Sequence, residues 1–173
     1  MTADFTPRFR PLGAGDWAAF QALRLAAILD SPAALYPRYE EEASQAPETI
    51  REKIAETPFQ VVLGVFDGET LVGMAGLRRL ALAQVAHKAV LWGVFIHPGR
   101  RGGGLARQLL SALFAHARAR GIDQVSLSVN VENPRAVGLY QSMGFEVYGR
   151  EPRALRIGDR FYDEALMVLR LDA

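Results

Sequence analysis

LWGVFIHPGRRGGGLAR, residues 91–107, is the stretch whose reading decides the fold. Leu91 to Ile96 predict a buried strand and His97-Pro98 a sharp stop. A basic, glycine-rich turn follows from Gly99 to Gly104, and Leu105 opens an amphipathic helix. A strand that feeds such a turn ahead of a helix builds a pocket for an anion. The first N–H groups of a helix lack intrahelical acceptors, and the macrodipole adds partial positive charge there, so a phosphate meets donors already oriented. Gly102, Gly103 and Gly104 let the main chain approach such a ligand without an intervening Cβ. Two other phosphate-binding patterns fail. The nucleoside triphosphate loop needs Lys followed by Ser or Thr where Leu105-Ala106 stands, and the dinucleotide fingerprint needs a small residue where Arg107 stands.

Upstream, Phe59 to Phe66 and Leu71 to Leu80 are apolar runs joined by Asp67-Gly68, a hairpin signal. Gly73 and Gly76 in the second run predict a bend or a close approach by another element. With Ala89 to Ile96, three antiparallel strands arrive at the glycine turn; Ala81 to Ala86 reads equally as strand end or loop. Further back, Phe9 to Leu12 predicts a short strand. Asp16 is placed to cap a helix to about Leu29 whose apolar stripe is Trp17, Phe20, Leu23 and Ala27. Asp30-Ser31-Pro32 ends it. A short helix is expected from Glu48 to about Glu56, with Ile50 and Ile54 inward. Glu40-Glu41-Glu42 reads as a solvated turn, the sharper alternative being that one of them meets an acceptor amine.

Downstream, Leu105, Leu109, Leu113 and Ala117 recur at helical spacing up to Gly121, and Val125, Leu127 and Val129 alternate with serines as in a half-buried strand. Strand, helix and strand in this length make a right-handed parallel crossover, whose ligands bind beyond the carboxyl ends of the strands. Asn133 can cap a helix starting at Pro134, with Ala136, Leu139 and Tyr140 on one face and Gly144 at its end. Phe145 to Gly149 opens a strand, an arginine-rich polar stretch follows (Arg150, Arg153, Arg156), Gly158-Asp159 turns, and Phe161 to Leu171 closes the chain.

Two of these segments carry a resemblance. Arg101-x-x-Gly104-x-Ala106 after Ile96-x-Pro98 is similar to the pyrophosphate loop of the GCN5-related N-acetyltransferases. Asn133 through Ala136, Leu139-Tyr140 and Gly144-Phe145 match that family's second motif in the right order. The match covers the C-terminal two thirds well; before that it rests on element order and Asp30-Ser31-Pro32.

The resemblance implies an α/β (α+β) fold in a single domain over 1–173. Its central sheet would be mixed and mostly antiparallel, of about seven strands with about four helices. The fourth and fifth strands would be parallel and splayed around the cofactor, leaving a gap between 91–96 and 125–129. Residues 1–90 would form the acceptor side, 91–149 the acyl-CoA motifs and 150–173 the closing strands. It also implies acetyl transfer from acetyl-CoA to an amine of a small molecule or peptide, with no acyl-enzyme. Val94, Phe95 and Ile96 would pair with the pantetheine arm, Arg101, Gly102, Gly103, Gly104, Leu105, Ala106 and Arg107 would hold the pyrophosphate, and Asn133 would meet the arm from the other side. Tyr140 would be the acid for the leaving thiolate, since a phenol of pKa about 10 is protonated at neutral pH.

No carboxylate stands at the stretches where relatives place a base; Trp92, Val94, Ser126 and Ser128 do. Proton removal through water towards Glu41, Glu42 or Glu132 is the expectation. His97 is expected as a turn residue, and His87 and His116 as surface or packing residues. Another acyl-CoA donor, or an acyl-CoA sensor without catalysis, would use the same loop.

Composition bounds the rest. A chain of 173 residues, half of them hydrophobic, supports one full core. Net charge +1 argues against nucleic acid or membrane held by bulk charge. No cysteine is present, which excludes disulfides, thiolate metal sites and an acyl-cysteine, and no histidine spacing suggests a metal. MTADFTPRF has no apolar signal core, so a cytoplasmic protein is expected. An acidic acceptor group is a slight preference given Arg150, Arg153 and Arg156. The family's habit of pairing late strands leaves room for a homodimer.

Overall fold

A computed structural model describes residues 5–172; Met1–Asp4, which open the segment read for a signal core, lie outside them. The strands are β1 (Arg8–Pro11), β2 (Gln60–Asp67), β3 (Thr70–Arg79), β4 (Lys88–Ile96), β5 (Gln124–Asn130), β6 (Glu146–Ile157) and β7 (Arg160–Arg170). They form one sheet in the order β1-β2-β3-β4-β5-β7-β6. The helices are α1 (Trp17–Asp30), α2 (Tyr39–Ala43), α3 (Pro47–Ile54), α4 (Leu105–Ala119) and α5 (Pro134–Ser142). The expected mixed α/β fold with one parallel pair is present. Only β4 and β5 are parallel among the paired strands.

The two faces of the sheet bury different residues. Leu109, Leu110 and Leu113 of α4 are fully buried against Val65, Leu91, Val125 and Met167. At roughly 2 kcal/mol for each fully buried leucine, this stripe is a main anchor of the crossover. On the other face, Phe20, Leu23 and Ala27 of α1 with Ile50 and Ile54 of α3 cover Val62, Met74 and Phe95. Trp17 is only partly buried.

Three local readings are revised, and one left open is decided. Asp16 precedes α1 but makes no cap; its carboxylate is held by Arg10 at 2.8 Å and by the Gly13 amide at 2.8 Å. Residues 83–85 form a short 3-10 turn rather than strand. The arginine-rich stretch lies within β6, which bulges between Glu151 and Leu155, and Arg153 there takes φ +55°. Most consequentially, Glu42 is fully buried in α2 rather than solvated. It accepts from Arg24 Nε and Nη2 at 3.3 and 3.2 Å and lies 3.7 Å from Lys53 Nζ.

Two irregularities shape the ligand side. Gly76 pairs with Trp92 and Met74 with Phe95, so Gly93 and Val94 stand opposite Ala75 alone, and Gly93 takes φ +64°. This is a bulge that re-aims the end of β4. A Cβ at Gly76 would lie 2.3 Å from the Trp92 ring, so glycine is required there by close approach, as its place in the strand predicts. Second, β4 and β5 pair only through Lys88–Gln124, Ala89–Val125 and Val90–Ser126. Beyond Val90 and Ser126 the strands part, which is the predicted gap.

Candidate active site

The gap continues into a cleft of about 360 Å³ between the end of β4, the glycine turn, α5 and the end of α1. Val94, Phe95 and Ile96 form one wall. Arg101, Gly102, Gly104, Leu105, Ala106 and Arg107 form the mouth, and Asn133, Ala136, Leu139 and Tyr140 the opposite wall. Of the predicted site residues, Gly103 alone does not line it. Ala27, Ser31, Ala34 and Leu35 close the cleft from the α1 side; the weak periodicity of residues 31–38 gave no sign of this.

The mouth is formed at the start of a helix. Gly104 precedes α4 at φ +73° and Gly102 takes φ +90°. These left-handed conformations, not crowding, require glycine, because a Cβ on either residue would meet nothing within 4 Å. They turn the chain so that α4, whose first amides lack intrahelical acceptors, starts at the mouth of the cleft.

Four arginines rim the cleft, and three are engaged. Arg100 pairs with Asp67. Arg101 donates through Nε to the Ile96 carbonyl at 2.8 Å, pairs with Asp30 at 2.7 Å, and lies 5.2 Å over the Phe95 ring. Arg107 donates to Ser142 Oγ. Arg135 makes no ion pair or side-chain hydrogen bond among the described residues. It therefore keeps its full donor set for a ligand phosphate. The guanidinium of Arg101 holds the Asp30 carboxyl below its usual range.

Asn133 caps α5 as predicted, its Oδ1 accepting from the Ala136 amide at 3.1 Å. The cap fixes the start of α5, and about two turns later Tyr140 faces the cleft, its ring edge-on to Phe145 at a centroid distance of 5.6 Å. Tyr140 is only 8% exposed, and burial pushes its phenol up to about 12.

The expected proton acceptors are all committed elsewhere. Glu41 is bonded to Arg38, Glu42 to Arg24, and Glu132 to Arg160. His97 serves as the turn residue expected, its Nδ1 accepting from the Gly99 amide at 3.2 Å. Arg150 and the Arg153 amide bind Asp163, Arg153 lies 3.7 Å over Phe161, and Arg156 pairs with Asp159. Arg150 and Arg156 are thus paired within the β6–β7 hairpin, and the Arg153 guanidinium is stacked on an aromatic ring. Among the described residues, no cluster of three or more His, Cys, Asp or Glu could hold a metal ion, and no helix is long and apolar enough to cross a membrane.

The model of the Acetyltransferase (GNAT) family matches residues 25–145. The chain belongs to the GNAT family. Among solved GNAT-fold structures, a GNAT acetyltransferase from Streptococcus pneumoniae superposes with TM-score 0.86 at 24% identity, covering 95% of this chain and 99% of that one. The yncA structure from Salmonella typhimurium, solved with its cofactor acetyl-CoA, gives 0.83 at 23% identity over 97% and 95%. Among curated relatives, an L-methionine sulfoximine/L-methionine sulfone acetyltransferase of Pseudomonas paraeruginosa is 35% identical over 79 residues, 46% of each chain. A mycothiol acetyltransferase of Thermobispora bispora is 36% identical over 135 residues, 75% of this chain and 43% of that protein. The chain thus matches less than half the length of each of these curated relatives.

Proposed function

We propose that this GNAT protein transfers an acetyl group from acetyl-CoA directly to the amine of a small molecule or peptide. The observation that carries the reading is the continuity of the β4–β5 gap with the helix-start cleft, with a buried phenol on its wall. The pantetheine arm lies in the gap along Val94, Phe95 and Ile96. The pyrophosphate rests on the amides of residues 102–107, with Gly103 contributing main chain only. Arg101 acts at one remove, holding the turn against α1, while Arg135 supplies a free cation. Asn133 acts through its cap, setting α5 against the arm.

Attack by the neutral amine on the thioester carbonyl forms the C–N bond, and collapse breaks C–S. A phenol raised to about 12 by burial is protonated when this step begins and so has a proton to give the departing sulfur. In a cleft filled by substrate, its hydrogen bond to the departing sulfur is strengthened by the low local dielectric. Main chain at the Gly93–Val94 bulge supplies a donor for the oxyanion.

L-Amino acids lead the choice of acceptor. The names of several relatives, though not of the mycothiol acetyltransferases, point there, including an L-amino acid N-acyltransferase of Escherichia coli that is 35% identical over 79 residues. The test is release of free CoA thiol from acetyl-CoA with a panel of L-amino acids (L-methionine sulfone among them), polyamines and N-terminal peptides. Amine-dependent release is the expected result. CoA binding without release for any amine would indicate an acyl-CoA-binding module instead. Faster turnover with a longer acyl-CoA would reassign the donor.

A further inference from the structure

Three charged side chains are buried among the described residues: Arg24, Glu42 and Glu164. The first two neutralise each other. Glu164, on β7 and 5% exposed, has no cationic partner; its Oε2 accepts a hydrogen bond of 2.8 Å from the Tyr36 hydroxyl. A carboxylate withdrawn from water without a counter-ion is costly, and a cationic group brought by a ligand would offset that cost.

The position of Glu164 says which cation. It is the register partner of Asn130, the last residue of β5, whose Nδ2 donates to the Ala33 carbonyl at 3.3 Å. That bond ties the 32–34 turn across the end of β5. Ala34 and Leu35 then line the cleft, and Tyr36 follows directly. Ser128, exposed on the part of β5 that has left β4, faces the Tyr36 hydroxyl. The carboxylate therefore lies on the sheet face opposite α4, beside the end of β5 and one strand over from the gap. An acceptor has to come from that side, because α4, α5 and the glycine turn occupy the other.

We propose that Glu164 meets the acceptor's ammonium group and takes its proton, with Tyr36 as the positioning residue that holds the carboxylate. This rests on the acetyl-transfer reading. One ammonium proton passes to Glu164, leaving the lone pair that attacks the thioester carbon. The second leaves nitrogen as the tetrahedral intermediate collapses and reaches the departing sulfur by way of the Tyr140 phenol, which gives up one proton and regains one. The net products are amide, CoA thiol and the proton that Glu164 returns to solvent. The groups facing Glu164 are Tyr36 from the 31–38 segment, Ser128 and Asn130 from β5, and Glu151, its register partner on β6. Burial and the Glu164 carboxylate push the Tyr36 phenol up to about 12, so it does not titrate in the working range.

The test uses the full chain, acetyl-CoA and the best acceptor of the amine panel, with wild type, Glu164→Gln and Tyr36→Phe compared between about pH 7 and about pH 9.5. At the lower pH, kcat/KM of Glu164→Gln should fall on the order of 100-fold, with CoA affinity by calorimetry unchanged. The deficit should shrink at least several-fold at the higher pH, where amines lose the proton unaided. Tyr36→Phe should show a smaller loss with the same pH trend. Wild-type turnover in Glu164→Gln, or a loss that does not vary with pH, overturns the assignment. If Glu164→Gln does not fold, a pH-independent Tyr36→Phe does so. A wild type that releases no thiol with any amine overturns the acetyl-transfer reading itself, a result distinct from an active wild type matched by an active glutamine variant.

Discussion

Asp30, the last residue of α1, and Arg101, in the glycine turn, are 71 positions apart in sequence and meet at 2.7 Å. The same guanidinium holds the Ile96 carbonyl, so one side chain fixes the end of β4, the turn and α1 together. Asp30→Ala should therefore weaken CoA binding several-fold while costing about 0.5–1 kcal/mol of stability, since the pair is partly solvated. Calorimetry with CoA, set beside urea denaturation, separates the two effects.

The glycines of the turn are not equivalent. Gly104→Ala and Gly102→Ala force a Cβ into left-handed backbone, at roughly 1–2 kcal/mol each, and should weaken CoA binding as the turn relaxes. Gly103→Ala meets neither a positive φ nor a neighbour within 4 Å and should bind as wild type. CoA titration of the three variants reads the difference directly.

Arg135 is the one rim arginine without a partner among the described residues, so its removal should be felt by the ligand and not by the fold. Arg135→Ala is expected to leave the melting temperature within error, weaken CoA several-fold, and reduce the salt dependence of binding. Titrations at low and high salt check this.

Glu42→Ala leaves Arg24 buried without its counter-ion and should cost about 3–5 kcal/mol in urea denaturation. A loss below about 1 kcal/mol would show that water reaches Arg24.

Stability should bend at both ends of the pH scale. Asp16 and Asp30 are held below their ordinary values, first by the hydrogen bonds from Arg10 and Arg101. Their contribution is whole above the unfolded value near pH 4 and is lost as pH falls through the lower folded values. Tyr36 and Tyr140, each raised to about 12 by burial, contribute stability that is whole below about pH 10 and is lost as pH rises toward about 12. Thermal melts across pH should show both bends, and Asp16→Asn should soften the acid one.

The C-terminal crossover was legible because its signals are local: Leu105, Leu109 and Leu113 announce their helix, and Asn133 with Pro134 announces its start. The gap between β4 and β5 followed from the resemblance, not from periodicity. What stayed hidden depends on long-range pairing. Glu42 reads as one of three solvated glutamates until α1 brings Arg24 over it. Glu164 sits in an apolar closing strand where nothing local marks its burial, and its partner Tyr36 is 128 positions away. The arginines of β6 looked available for an acceptor because Asp163 and Asp159, which bind them, lie across a turn.

The central claim is that main-chain amides at residues 102–107 hold the diphosphate of coenzyme A. Calorimetric titration of wild type and Gly104→Val with CoA tests it most directly. Saturable heat from the wild type, lost or greatly weakened when a branched side chain is forced onto the left-handed position before α4, is the predicted result. No heat from the wild type, or equal affinity in the valine variant, would contradict it.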